Sequence, residues 1–319
     1  MLNIRVVVAS AALFVALGAH AQTYPSKPIT VIVPASPGSL TDYSARALSN
    51  KLAERLKQPV VVDNRPGANG QIAMERVIAQ KPDGYTLTLA PSSTHAGNPN
   101  LFKTLRYDPL KDFTPIARVA QTALVVAVNN ALPVQSLEEL IAYAKERPGE
   151  LSYAWANSGS LVSMETIRFL AGLNVIGVPY KASSRALTDL IAGHVDMYVI
   201  DFQTAAPWVK SGKVRGLAVT TAETSPVFPD LPPVSDTFPG FEVVAWNALM
   251  GPAGMPKDIV DRLAREVDAI LLEKDTQAGF FDNGLTVMPS NSPEDLGKYV
   301  SDQIVLWSRL VQQAGIQPE

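Results

Sequence analysis

Over most of its length the chain alternates between short β-branched runs and longer stretches with helical periodicity. Few folds accept that alternation, because a strand followed by a helix returns to lie parallel to its neighbour. Ile29-Thr-Val-Ile-Val33 reads as a strand buried on both faces. Pro34 to Leu40 is a loop, and Thr41 to Lys57 is helical, with Ala45, Leu48, Leu52 and Leu56 on one face. Ser39-x-x-Asp42 fits a capping box at its start. Val60 to Val62 is the next strand, and the turn-rich run 64–70 leads to a helix from Ile72 to Gln80 that stops before Pro82. Tyr85 to Ala90 is a third strand, and 91–100 is expected to be a polar loop.

A second region opens near Ala123. Ala123 to Val128 is a strand, and Ser136 to Arg147 is a helix with Ser136 as N-cap, ended by Pro148-Gly149. Leu151–Ala156, Val175–Val178, Val195–Ile200 and Gly216–Thr221 are further strands. Helices are expected after Ser160 and from Ser184 to Ala192, and Val209 to Lys213 is expected to close another short helix. The Pro-rich run 224–240 is a connector, Phe241–Leu249 is a strand, and Lys257–Leu272 and Pro293–Ala314 are amphipathic helices. The expected fold is α/β, with mainly parallel sheets.

The first 21 residues are not expected to belong to that fold. Arg5 precedes an apolar run from Val6 to Gly18, and Ala19-His20-Ala21 is an A-x-A cleavage site. This is the pattern of a secretory signal peptide cleaved after Ala21, and it places the mature chain outside the cytoplasm. A length of 319 residues then leaves room for two domains.

Composition removes several chemistries. With no cysteine there is no disulfide, thiolate metal site or cysteine nucleophile. A net charge of −3 argues against bulk nucleic-acid binding, which needs a basic excess. Three histidines, one of them in the signal segment, do not form a zinc spacing. There is no G-x-S-x-G elbow, no Walker A motif and no G-x-G-x-x-G after a strand. No catalytic residue, metal or cofactor is expected. A hydrolase built on Ser158 or Ser160 would need His95 or His194. His194 lies in a solvated turn, while His95 lies in a polar loop where lining a cleft and packing are both open.

What remains is binding. Three strand-to-helix loops, 34–40, 157–160 and 179–183, each lead into a helix N-terminus, where unpaired N–H groups and the helix dipole favour an anion. In open α/β sheets, ligands bind beyond the carboxyl ends of strands. Gly38 and Gly159 permit close backbone approach, and Ser36, Ser39, Ser158, Ser160 and Ser183 offer hydroxyls. Asp201, at the end of a buried strand, fits a ligand contact or a helix cap equally well. Tyr180 and Trp246 fit pocket walls or core, and for Trp155, inside a strand, packing is the default reading.

A series of segments in order resembles the receptors of tripartite tricarboxylate transporters, the Bug family of periplasmic solute-binding proteins. They include Tyr-Pro-Ser-Lys-Pro-Ile (24–29), Val-Pro-x-x-Pro-Gly (33–38), Val-x-Asn-Arg-Pro-Gly-Ala-Asn-Gly (62–70) and Pro-Asp-Gly-Tyr-Thr-Leu (82–87). Tyr-Asp-Pro-x-Lys-Asp-Phe-Thr-Pro (107–115), Val-Pro-Tyr-Lys (178–181) and Ala-Leu-Thr-Asp-Leu-Ile-Ala-Gly (186–193) follow. Val-Arg-Gly-Leu-Ala-Val-Thr (214–220) and Gly-Pro-Ala-Gly-Met-Pro (251–256) complete the set, so the resemblance runs from Tyr24 to about Gly315.

The resemblance implies a type II periplasmic-binding-protein-like fold, with two α/β domains, an interdomain cleft and two crossover strands. Domain 1 would comprise 22–125 and 225–319, and domain 2 would comprise 126–224. It implies a small organic acid as ligand, held between the domains. Its partners would be the permease subunits of a tripartite tricarboxylate-type transporter or a membrane sensor, with the receptor itself a monomer. Carried over by position, the ligand-binding residues are Pro37, Gly38, Ser39 and Asp42 from the first loop, and Ser92, Ser93 and His95 from the loop after the third strand. Asn157, Ser158, Gly159, Ser160, Tyr180, Lys181 and Asp201 come from the second domain. The chain departs from the family pattern at Ser39, Trp155, Asn157, Ser163, Ile167, Gly177 and Ala182, most of them expected around the second-domain pocket.

Overall fold

The computed structural model describes residues 24–290 and 292–318, so the expected signal segment lies outside the described residues. Strand β1 (Ile29–Val33) lies between β2 (Val60–Asn64) and β3 (Thr86–Pro91), parallel to both. Its β-branched side chains are almost wholly buried, which suits a strand covered on both faces. Helix α1 (Leu40–Leu56) lays Ala45, Leu48, Leu52 and Leu56 against this sheet. Leu48 and Leu52 are fully buried, and each side chain contributes roughly 1.5–3 kcal/mol by leaving water. Helix α2 (Gln71–Ile78) contributes Ala73, Met74 and Val77 to the core of the opposite face.

Strand β4 (Phe113–Asn129) links the two groups of strands. Seventeen residues long, it runs antiparallel to β9 (Val244–Pro252) up to the pair Ala123–Val244. From Leu124 onward it pairs instead with β7 (Met197–Asp201) and β8 (Val214–Val219). The second group continues through β5 (Ser152–Trp155) to the edge strand β6 (Ile176–Pro179), both parallel to β7 or to each other. The strand order is therefore β2-β1-β3-β9-β4-β7-β5-β6, with β8 and the short β10 (Thr286–Val287) pairing with β4 off this path. The chain returns from β8 to β9 beside the point where β4 changes partners. There Leu124 donates its N–H to the Thr220 hydroxyl at 2.9 Å, and Val243 donates to the Thr220 carbonyl at 2.9 Å.

The second group is covered by α4 (Leu137–Lys145), α5 (Ser158–Ala171), α6 (Ser183–Ala192) and α7 (Phe202–Lys210). The first also carries α8 (Lys257–Leu271), α9 (Lys274–Asp282) and the long α10 (Pro293–Gln313). Among the described residues no helix is long and apolar enough to cross a membrane.

Four stretches differ from expectation. β4 begins at Phe113 rather than Ala123, because its first half is paired by β9 despite Pro115 and several polar residues. The expected polar loop 91–100 is instead a helical turn, Ser93–Gly97, followed by α3 (Asn98–Leu101), and it is mostly buried. α7 begins directly after Asp201 and ends at Lys210, short of Lys213. α9 and β10 add an element pair that periodicity did not mark.

Candidate functional site

The carboxyl ends of the parallel strands lead into four helix N-termini, those of α1, α5, α6 and α7. At α1, Ser39 caps the helix by accepting the Asp42 N–H at 3.2 Å. The buried Asp42 carboxylate turns back to accept the Gly38 N–H at 2.9 Å, the Asn64 amide at 2.9 Å and the Arg46 guanidinium at 3.0 Å. Burial opposes its ionisation, but hydrogen bonds from Arg46, Gly38 and Asn64 hold its carboxyl below the usual range. Gly38 sits at φ 80° with open space beside it, and Pro37 is exposed. Asp42 is thus a clamp behind the loop, and the exposed face of the loop is Ser36, Pro37 and Gly38.

At α5, Asn157 accepts the Ser160 N–H at 2.9 Å, and the Ser160 hydroxyl accepts the Asn157 N–H at 3.1 Å. This reciprocal cap engages both side chains and Ser158 is buried, so what the turn offers outward is backbone at Gly159. Helix α6 differs. Its N-cap, Ala182, has no side chain to cap with, and Ser183 and Ser184 open the helix beside the exposed Lys181. Asp201 resolves as a helix cap, accepting from the Thr204 N–H at 3.1 Å and the Thr204 hydroxyl at 3.0 Å. Burial pushes its carboxyl up, against the hydrogen bonds from Thr204. The Tyr180 hydroxyl donates to Asp189 at 3.0 Å, which turns it toward α6 rather than outward.

His95 departs furthest from expectation. It is fully buried and packs edge-on against Phe113, with ring centroids 4.7 Å apart, and near Tyr107 at 6.3 Å. Its Nδ1 meets the Thr94 hydroxyl at 2.9 Å, and burial depresses its pKa to about 3. It is a neutral core residue and does not line a cleft. Ser92 is buried and Ser93 half-buried on the same turn.

The structure joins Ser158 of the second strand group to Asn69 and Asn98 of the first, two residues that sequence reasoning passed over. Asn69, left-handed at φ 51°, donates its amide to the Ser158 hydroxyl at 2.9 Å and to Asn98 Oδ1 at 2.8 Å. Asn98 returns a hydrogen bond to the Asn69 carbonyl at 3.0 Å. The turn-rich run ending in Asn69-Gly70 was the available signal. A cavity of about 230 Å³ lies at this junction, lined from one side by Asn69, Leu101 and Phe102 and from the other by Trp155, Asn157 and Ser158. Two larger hollows, about 660 and 410 Å³, meet at Arg106 on the surface and touch none of the loops 34–40, 157–160 and 179–183.

The departures from the family pattern sort by place. Trp155 and Asn157 line the cavity. Ser163 and Ile167 do not: both are fully buried on the inner face of α5. At Gly177 the phenol of Tyr153 takes the space of a side chain, since a Cβ there would lie 2.6 Å from its oxygen.

Helix N-termini at the carboxyl edges of two strand groups, bridged by one continuous strand, define the class of two-part α/β periplasmic solute-binding proteins. The chain belongs to the tripartite tricarboxylate transporter family receptors, whose family model matches residues 44–316. Protein BugT of Bordetella pertussis is 34% identical over 94% of this chain and 93% of its own length. The R. palustris protein Rpa4515, solved with adipate, superposes with a TM-score of 0.86 at 34% identity, covering 93% of this chain and 100% of that one. MatC of Rhodopseudomonas palustris, solved with bound malate, gives 0.81 at 32% identity over 90% of this chain and 100% of that one.

Proposed function

We propose that this chain is a periplasmic receptor that captures a small carboxylate-bearing solute between two lobes and presents it to the permease subunits of a tripartite tricarboxylate-type transporter. The lobes are 22–125 with 225–319, and 126–224. The observation that carries the reading is the set of helix N-termini on both sides of the β4 crossing, with α6 left without a side-chain cap beside Lys181. Backbone N–H groups there, with the helix dipoles behind them, supply what a carboxylate needs. The adipate and malate held by two relatives support the same ligand class.

Exposed Pro37 and Gly38, with half-buried Ser39 beside them, would contact the solute from the first lobe, and Ser158, Gly159, Lys181 and Ser183 from the second. Closure selects the state in which both lobes touch the solute, and no covalent step is needed. The mature protein is a monomer that begins at Gln22, which intact-mass measurement on periplasmic material and light scattering will check. Thermal-shift and calorimetric titration against a panel of organic acids test the ligand class. Saturable binding of one or more acids is expected. A screen in which a neutral compound binds and no acid does would overturn the reading.

A further inference from the structure

Resting on the carboxylate reading, we infer that the cavity beside the N-terminus of α5 receives an apolar ring of the solute, so the solute is an aryl-bearing carboxylate rather than a hydroxy- or tricarboxylate. Among the described residues, none that lines the cavity is charged. Its apolar walls are Trp155 and Leu161 from one lobe, and Leu101, Phe102 and Ile316 from the other, and its polar lining is Asn69, Asn157, Ser158 and Gln317. The Asn69 amide and the Asn157 Oδ1 are already paired within the protein, so a second carboxylate or a hydroxyl-rich chain entering here would lose water and gain few hydrogen bonds and no charged partner.

Size narrows the class further. A cavity near 150 Å³ holds benzene, whereas a whole ligand site spans about 300–1,000 Å³. At about 230 Å³, this cavity suits one ring of a solute whose remainder lies elsewhere. The remainder is placed by the wall itself, because Asn157 and Ser158 are the N-cap and first residue of α5. A carboxylate at that helix N-terminus has a ring-sized apolar space directly beside it. The half-buried indole of Trp155 offers the ring a stacking partner.

Calorimetry with phenylacetate, malate and the uncharged analogue 2-phenylethanol tests the inference on the mature chain. Phenylacetate should bind at least about tenfold more tightly than malate, as expected for burying one ring. Leu161→Phe, which fills the cavity from a half-buried helical position, should collapse that ratio toward one. In the wild-type protein, nuclear Overhauser contacts from the phenyl protons to Leu161 and Trp155 give a readout that needs no variant. If malate binds as tightly as phenylacetate, the ring site falls and the carboxylate reading stands. If 2-phenylethanol matches phenylacetate, the ring site stands and the carboxylate reading falls. If none of the three binds, or the phenyl contacts lie elsewhere, the inference is overturned.

Discussion

Asp42 receives hydrogen bonds from three directions, and its value to the loop lies in that convergence. Replacing it with Ala takes the acceptor from the Gly38 N–H and from one of the two Asn64 amide hydrogens, the other staying on the Ala35 carbonyl, and should cost about 1–3 kcal/mol in urea unfolding. Its folded pKa lies below the unfolded one. Its stabilisation is therefore complete above the ordinary carboxylate range and is lost as pH falls through the folded value. His95 acts in a different window. The folded ring stays neutral down to about pH 3, while the unfolded ring takes a proton below about 6.5. Stability should therefore fall by up to about 1.4 kcal/mol per pH unit across that interval. His95→Phe should flatten that slope in melts taken from pH 7 to 4, and an unchanged slope would refute the assignment. The two residues differ in how they read from sequence. Ser39 and Asp42 are three apart, so their cap is visible in the local pattern. The burial of His95 is made by Tyr107 and Phe113, which no local window contains, and its polar neighbours pointed the other way.

At the scale of elements, what could be read was what carries its own periodicity. The strands β1, β3, β5 and β7 and the helices α1, α8 and α10 lie close to where their apolar spacing put them. The first half of β4 was not legible, because Pro115, Arg118, Gln121 and Thr122 break its alternation and the pairing partner β9 lies over a hundred residues away. Helix N-termini can be manipulated separately from the core. Ala182 has extended backbone angles, φ −150° and ψ 137°, and no side-chain cap. Ala182→Asn supplies the missing cap and should raise stability by about 1 kcal/mol in thermal unfolding. The same side chain would occupy the N–H groups proposed for the solute, so affinity for the best acid in the panel should drop. A gain in Tm with no loss of affinity would remove α6 from the binding site.

At the scale of the whole molecule, β4 and the return between β8 and β9 are the covalent links between the two strand groups, and the Asn69 amide donates to the Ser158 hydroxyl across them. The family resemblance carried the architecture, because the segments that match are turns and strand ends repeated in order along the chain. It did not carry the Asn69–Ser158 hydrogen bond between the groups, which is made from a left-handed backbone at Asn69. Ser158→Ala removes the cross-group acceptor while leaving Asn69 its bonds with Asn98. A single net hydrogen bond is worth about 0.5–1.5 kcal/mol, which shifts an open–closed ratio by roughly two- to tenfold. The variant should therefore bind a solute that requires closure about two- to tenfold more weakly, mainly through faster dissociation. Its unfolding midpoint should move little, since no core contact is lost. Small-angle scattering of the ligand-free variant should show a larger radius of gyration than the wild type. An unchanged radius together with unchanged dissociation kinetics would mean that Asn69 and Ser158 meet without governing closure.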